Sequence, residues 1–174
     1  LDLSSCVQQT GLGGTLNQPL NTLTCYPEII AGLECWESGA VPDWRWLIGR
    51  GPGLTPSGDD MLTGMLAVFI AAGIPVHLFL PPADQLALLT TSVSCSYLNS
   101  ARVGEFSTPV LGVIRSLQAG RDAGRALHRL LTVGHTSGAD TVLGIALAQR
   151  WLQTADSRGM HARSGNNTHI YSGG

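Results

Sequence analysis

The chain has 174 residues, of which 44% are hydrophobic and 13% are charged, and its formal net charge is −2. This composition is typical of a globular chain that buries one sizeable core, and it excludes a disordered chain. A charge so close to neutrality gives no electrostatic basis for binding nucleic acid or an anionic membrane, and we expect neither as a partner.

All ten basic residues are arginine, because the sequence contains no lysine. The absence of lysine excludes a P-loop lysine, a Schiff-base lysine, a lysine general base and a biotin carrier. A cation that holds an anionic ligand must therefore come from arginine or protonated histidine, and backbone amides are the remaining source of positive potential.

The four cysteines include no C-x-x-C pair, which indicates free thiols in a reducing compartment. No apolar run reaches the length that crosses a bilayer. We therefore expect a cytoplasmic chain with a single helical domain over residues 1–163. The chain starts without methionine and reads as a fragment of a longer protein, and residues 164–174 read as a flexible or non-native tail.

Residues 1–26 show no sustained period, and most of the remaining chain has the apolar spacing of helices. A turn-rich loop spans Gly49–Pro56, and Pro75–Leu80 is a short extended candidate without an obvious partner. We predict an all-α, mainly helical compact bundle and leave room for a minor β component near the N-terminal side. The predicted helices are, in chain order, Pro27–Glu37, Asp59–Ala72, Ala83–Leu98, Pro109–Gln118, Arg121–Leu131 and Gly138–Thr154.

An internal repeat is the strongest signal in the sequence. Residues Ser57–Gly64 and Ser137–Gly144 both read S-G-x-D-x-x-x-G, and both lead into an apolar helix. The repeat predicts two pseudo-equivalent loop–buried-helix units, related by an internal pseudo-twofold. If the two half-sites act on one ligand, their loops must lie close together in space.

The residue types of the repeat indicate an anion site at a helix start. Each serine is placed as an N-cap, and Asp60 and Asp140 follow three residues later, as in a capping box. Gly58 and Gly138 add no side chain over the first-turn amides, which carry the positive end of the helix dipole. We therefore expect these amides to hold an anionic group.

A helix cap is the alternative interpretation of each motif taken singly. Two features favour a functional site: Gly51–Pro56 holds two glycines and two prolines, and His135 is the only histidine within a motif. The candidate catalytic residues are His135, Asp60 and Asp140. The candidate substrate- or anion-binding residues are Arg50, Gly53, Thr55, Ser57, Gly58, Arg102, Thr136, Ser137 and Gly138.

Three aspartates, Asp59, Asp60 and Asp140, would repel the anion that the helix starts attract. Three alternatives remain open: the acids accept hydrogen bonds from a ligand amide, they bind Mg²⁺ that bridges to the anion, or they serve only as caps. A ligand that carries both an acid group and an N–H₂ group fits the first alternative.

Arg102 lies in a further polar cluster, residues 99–107, between two predicted helices. Its guanidinium could clamp a carboxylate or phosphate through two parallel hydrogen bonds. The alternative is a solvated surface arginine, with Ser107 or Thr108 capping the helix that begins near Pro109. Arg50 stands in a similar position beside the first loop.

Three segments carry a resemblance to a known family: GPGLTPSGDD at 51–60, TTSVSCSYLNSA at 90–101 and GHTSGADTVLG at 134–144. In order and spacing they resemble the AllH (YlbF) family, formerly labelled a putative carboxylase and now regarded as a subunit of oxamate carbamoyltransferase. The resemblance covers roughly Trp44 to Leu152. It assigns no role to any individual residue.

The resemblance implies carbamoyl transfer between carbamoyl phosphate and oxamate in anaerobic allantoin breakdown, performed together with partner subunits. Oxamate carries a carboxylate and an amide, which is the combination that the loop chemistry favours. Two alternatives stay open: a non-catalytic scaffold or regulatory subunit of a partner enzyme, and a carboxylase-like protein of unknown substrate.

Overall fold

A computed structural model of the protein describes residues 1–18 and 26–155, which form seven α-helices and no β-strand. The all-α prediction is therefore confirmed. An isolated antiparallel bridge between Gln9 and Thr15 is the β feature of this part of the chain. The helices are α1 (Pro27–Glu37), α2 (Ser57–Ala71), α3 (Ala83–Leu89), α4 (Ser92–Arg102), α5 (Thr108–Gln118), α6 (Gly124–Leu131) and α7 (Ser137–Ala155).

Two expectations from the sequence concern the ends and surroundings of the chain. The predicted tail, residues 164–174, lies outside the described residues, and the domain boundary at residue 163 stays a prediction. Within residues 1–18 and 26–155, no helix has both the length and the apolar character required to cross a membrane.

Helices α2 and α7 form the centre of the bundle, and nearly every side chain of their first three turns is buried. A Cβ atom added to Gly64 would lie 2.2 Å from the carbonyl oxygen of Thr141. A Cβ atom added to Gly144 would lie 2.0 Å from the carbonyl oxygen of Met61. Met61 and Thr141 occupy the same position in the two repeats, so the contact is reciprocal. The sequence repeat therefore corresponds to a structural pseudo-twofold between α2 and α7.

The other helices cover this central pair. Helices α4 and α5 pack against α2, and α6 packs against α7 and α5. An aromatic cluster closes the side of the bundle near the first loop, where the ring centroids of Trp44 and Phe79 are 5.4 Å apart. The buried indole N–H of Trp44 donates to the carbonyl of Phe79 at 2.8 Å, which fixes the turn that precedes the loop.

The predicted helix Ala83–Leu98 is wrong as a single element, because the structure divides it into α3 and α4. Thr90 has extended dihedral angles at the break (φ −147°, ψ −178°). Thr91 is the N-cap of α4, and its hydroxyl accepts from the amide of Ser94 at 3.1 Å. The extended candidate Pro75–Leu80 contains turns instead of a strand.

The close contact between α2 and α7 gives a stability prediction. We expect Gly144→Ala to lower the free energy of unfolding by about 3 kcal/mol or more, because the new Cβ overlaps a backbone carbonyl that cannot rotate away. Urea denaturation measures the change. Gly112→Ala in α5 is the matched control, since its Cβ would meet Ala126 at an ordinary 3.6 Å. That control should keep or raise stability, and equal losses in both variants would contradict the reciprocal contact.

Candidate functional site

The starts of α2 and α7 have the same backbone hydrogen bonds. The amide of Gly58 donates to the carbonyl of Arg50 at 3.0 Å, and the amide of Gly138 donates to the carbonyl of Val133 at 3.0 Å. Each amide therefore already has a backbone acceptor, and the prediction that these amides hold an anion gains no support from the geometry. In this structure the glycine amides close the loops.

Close packing is the physical reason for glycine at these positions. A Cβ atom on Gly58 would lie 2.0 Å from the carbonyl oxygen of Leu47, and one on Gly138 would lie 1.9 Å from that of Leu130. Each helix start therefore packs directly on a backbone carbonyl, that of Leu47 in the turn before the first loop and that of Leu130 in α6. Glycine at this position of the repeat serves packing first.

The predicted N-cap role of the two serines is wrong, because Ser57 and Ser137 are the first helical residues. Pro56 is the N-cap of α2 (φ −54°, ψ 147°), and its carbonyl accepts from the amide of Asp60 at 3.1 Å. The carbonyl of Thr136 takes the same place before α7. A proline N-cap has no side-chain acceptor, so the serine hydroxyls are left for other partners.

The two loops meet at their hydroxyl side chains. Thr55 Oγ1 lies 3.5 Å from Ser137 Oγ, although the two residues are 82 positions apart in the sequence. The predicted convergence of the two loops is therefore confirmed. The contact also shows that α2 and α7 begin at the same end of the bundle.

A cavity of about 260 Å³ opens where the loops converge. The first loop and α2 form one wall, the second loop and α7 form another, and the segment before α5 completes it. Four predicted site residues line this cavity: Thr55, Asp60, Ser137 and Gly138. The other lining residues are Thr63, Tyr97, Glu105, Phe106, Ser107, Val110, Leu130, Val133, Gly134 and Thr141.

Asp60 is the most perturbed carboxyl of the cavity. Burial raises the pKa of Asp60 to about 7, and the negative charges of Asp140 and Asp59 act in the same direction. The hydroxyls of Ser137 and Thr55 oppose this effect and lower the pKa. The Oδ2 atom of Asp60 is buried and has no hydrogen-bond partner among the described residues. Near neutral pH this carboxyl can therefore either accept or release a proton.

Asp59 points away from the cavity and has a structural role. Its Oδ1 atom accepts from the amide of Gly49 at 2.8 Å, and its Oδ2 atom accepts from the hydroxyls of Thr90 and Ser94 at 2.5 Å each. Three donors satisfy a carboxylate that is only 1% exposed. Asp59 therefore ties the first loop to the start of α4, which explains the extended conformation of Thr90.

Asp140 is fully buried and lies outside the cavity lining. Its Oδ1 atom accepts from the amide of Gly11 at 2.8 Å. Its Oδ2 atom and the Ser57 hydroxyl are buried and have no hydrogen-bond partner among the described residues. A Cβ atom on Gly11 would lie 1.8 Å from Ser57 Oγ and 3.0 Å from Asp140 Oδ2. The two half-sites are thus separate: one is open, and the N-terminal segment covers the other.

Arg102 lies outside the cavity lining, so the predicted anion clamp is not formed there. Its guanidinium donates to the carbonyl of Pro81 at 2.7 Å, and burial lowers its pKa. The structure therefore assigns Arg102 to the end of α4 and the turn at Pro81. The other predicted residues outside the lining are Arg50, Gly53, Ser57, Gly58, Asp59, His135, Thr136 and Asp140.

Several cavity residues were not predicted from the sequence. The sequence of the cluster at residues 99–107 points to its arginine, whereas Glu105, Phe106 and Ser107 are the residues that line the cavity. Thr63 lies three positions after Asp60 and therefore on the same face of α2, which helical spacing could have indicated. Tyr97 belongs to α4, and no local pattern relates it to either loop.

The Mg²⁺ alternative for Asp59, Asp60 and Asp140 gains no support from the geometry. No group of three or more histidine, cysteine, aspartate or glutamate side chains converges anywhere in residues 1–18 and 26–155. The carboxylate of Asp59 is directed at the three donors described above. A role for Mg²⁺ stays a prediction from the sequence.

The raised pKa of Asp60 predicts a specific pH dependence of stability. Between its ordinary value of 3.8 and about 7, the folded chain keeps a proton that the unfolded chain has released. Native stability therefore falls as the pH rises through this window, whereas Asp60→Asn cannot titrate. We expect the free energy of unfolding of the variant, relative to the native chain, to increase from pH 5 to pH 8 in urea denaturation.

Asp43→Asn is the control for this experiment. The exposed Arg45 side chain holds the pKa of Asp43 at about 2, so this carboxylate stays ionised in both states across the same range. Its relative stability should not change between pH 5 and pH 8. A constant difference for Asp60→Asn as well would show that Asp60 ionises normally.

Comparison with known proteins identifies the family. Residues 47–149 match the family model described as oxamate carbamoyltransferase subunit AllH. The matched range covers more than half of the chain and includes both loops, the cavity and most of α7. No solved structure matches the chain significantly. The match agrees with the resemblance of the three sequence segments, and the chain belongs to the oxamate carbamoyltransferase subunit AllH family.

Proposed function

We propose that the chain is a carbamoyltransferase subunit that binds oxamate in the cavity between the two loops, with the oxamate amide at Asp60. The observation that carries this proposal is that Asp60, whose Oδ2 atom is buried and unpaired among the described residues, lines a cavity of about 260 Å³. The family match supports the choice of substrate, because its description names oxamate.

The size and lining of the cavity suit a small polar ligand. A volume of about 260 Å³ lies below the range of about 300–1,000 Å³ that is usual for drug-sized ligands. Hydroxyl groups from Thr55, Thr63 and Ser137 line it, and Leu130 and Val133 provide apolar walls. Oxamate is planar and compact, and it needs few polar partners to be oriented.

Asp60 has the properties required at the amide end. The amide nitrogen of oxamate attacks the carbamoyl carbon of carbamoyl phosphate, so an N–C bond forms, the C–O bond to phosphate breaks, and the nitrogen loses a proton. Asp60 accepts that proton at its unpaired Oδ2 atom. A pKa of about 7 leaves a substantial ionised fraction at neutral pH, which suits a general base.

The start of α5 suits the carboxylate end. Ser107 is the N-cap of α5 and lines the cavity, and its hydroxyl makes no capping hydrogen bond. The first turn of α5 contains no acidic residue, whereas α2 and α7 both do. The positive end of the α5 dipole therefore has no acidic side chain within the helix to offset it, although Glu105, two residues before the N-cap, lines the same cavity. This arrangement directs the carboxylate toward Ser107 and the amide toward Asp60.

Partner subunits supply the groups that this cavity lacks. No arginine or histidine of the described residues lines it, so no cationic side chain is present for the leaving phosphate. Stabilising that phosphate and excluding water are both needed for the transfer. His135 remains a candidate proton shuttle from the exposed side of the second loop. The word subunit in the family description supports a shared active site.

The biological setting belongs to the same proposal. We assign the chain to the cytoplasm and to anaerobic allantoin breakdown. This assignment rests on the resemblance of the loop segments and on the family match.

Oxamate binding tests the site directly. In isothermal titration calorimetry, Asp60→Asn should weaken oxamate binding by about 10- to 100-fold, because a hydrogen bond to a charged acceptor is lost. Asp43→Asn, at an exposed carboxylate paired with Arg45, is the control and should bind as the native chain does. Equal binding by both variants would favour the scaffold alternative, with the loops as packing devices.

Product formation tests the reaction. Oxalurate formed from carbamoyl phosphate and oxamate should appear when the chain is assembled with its partner subunits, and this chain alone should form none. The reason is the absence of a cationic side chain in the cavity lining. Turnover by the chain alone would contradict the need for partners, and an inactive assembly would contradict the assigned reaction.

A further inference from the structure

The pseudo-twofold between α2 and α7 relates two half-sites of the same composition. The open half-site consists of Asp60, Ser137 and Thr55 at the cavity. The closed half-site consists of Asp140 and Ser57, which the structure places beneath Gly11. In each half-site, the aspartate of one repeat lies near the serine of the other. The two half-sites differ mainly in what faces the aspartate.

In the closed half-site, a backbone amide of the N-terminal segment faces the aspartate. The Gly11 N–H donates to Asp140 Oδ1 at 2.8 Å, across 129 positions of sequence. This single donor leaves Asp140 Oδ2 and the Ser57 hydroxyl without partners. Asp140 is 0% exposed and Ser57 is 1% exposed, so solvent does not satisfy them. Two adjacent, fully buried and unpaired polar groups are unusual in a folded core.

A primary amide matches the closed half-site better than Gly11 does. It has two N–H donors and one carbonyl acceptor, whereas a backbone amide nitrogen has one N–H. One N–H replaces that of Gly11 at the Asp140 carboxylate, and the second N–H is a further donor for the same pair of buried residues. The carbonyl oxygen accepts from the Ser57 hydroxyl. The number and kind of these groups agree with the unpaired atoms of the site.

We infer that the closed half-site is a second binding site for a small primary amide, which the segment at residues 1–18 covers through Gly11 when no ligand is bound. The inference rests on the proposed function only for the identity of the amide, oxamate. The composition of the site is independent of that choice.

The N-terminal segment has the limited packing of a displaceable cover. Cavities of about 340 Å³ and about 530 Å³ lie on its two sides, the first against α7 and the second against α6. Leu3, Cys6 and Leu16 are its apolar anchors in the core. Gly11 fits over the half-site only because it has no side chain, since a Cβ would lie 1.8 Å from Ser57 Oγ.

Gly11→Ala provides the test, because its methyl group would overlap Ser57 Oγ and crowd Ser57 Cβ and Asp140 Oδ2 at 3.0 Å, which disfavours the covered position. Isothermal titration calorimetry with oxamate on the full chain should show one more binding site per chain in Gly11→Ala than in the native chain. Adding Asp140→Asn should remove the extra site. Oxalate, which has the same anionic group but no N–H, should not bind there. Gly112→Ala is the control glycine variant and should keep the native number of sites.

An unchanged number of sites in folded Gly11→Ala would overturn the inference. Loss of the native oxamate site in Asp60→Asn tests the proposed function separately. If native binding persisted in that variant while Gly11→Ala still gained an Asp140-dependent site, the proposed function alone would fail.

If Gly11→Ala shows no cooperative melting transition, hydrogen exchange on the native chain decides whether the second site exists. Saturating oxamate, and not oxalate, should then speed exchange in residues 1–18; no change would overturn the inference.

Discussion

The reciprocal contact of Gly64 and Gly144 is the constraint on which the rest of the structure depends. Each glycine lets a backbone carbonyl of the other helix approach to a distance that no side chain would allow. Because the contact lies in the second turn of both helices, it also brings the two helix starts together. The loops, the cavity and the buried aspartates all follow from this one crossing, in which small residues replace the bulk of a usual helix interface.

Three neighbouring aspartates show how the protein tolerates carboxyl groups in its core without a basic partner. Asp59 accepts from three donors, Asp140 accepts from one backbone amide, and Asp60 lacks a partner at Oδ2. Burial raises the pKa of Asp60 to about 7, although the hydroxyls of Ser137 and Thr55 lower it. Of these three acids, Asp60 is the one that lines an open cavity, which is where proton transfer is useful.

Much of the fold and part of the site could be predicted from the sequence. Apolar spacing indicated the buried helices, and the repeat indicated that the loops at Ser57 and Ser137 would converge. The break at Thr90 was missed because a tertiary bond to Asp59 holds it extended, and no local pattern encodes that bond. The serine N-caps were wrong by one position, because the repeat alone does not fix the first helical residue. Gly11 was missed for a similar reason, since its partner lies 129 positions away.

The unequal lengths of the two loops make the two repeats distinguishable. The two loops connect equivalent backbone anchors: the Arg50 carbonyl and the Gly58 amide in the first, and the Val133 carbonyl and the Gly138 amide in the second. The first loop is longer and includes Gly51–Pro56. Only that longer loop carries Thr55 across to the opposite repeat. With loops of equal length the two halves would be interchangeable. The longer first loop makes them distinguishable, and one half lines a cavity whereas the N-terminal segment covers the other.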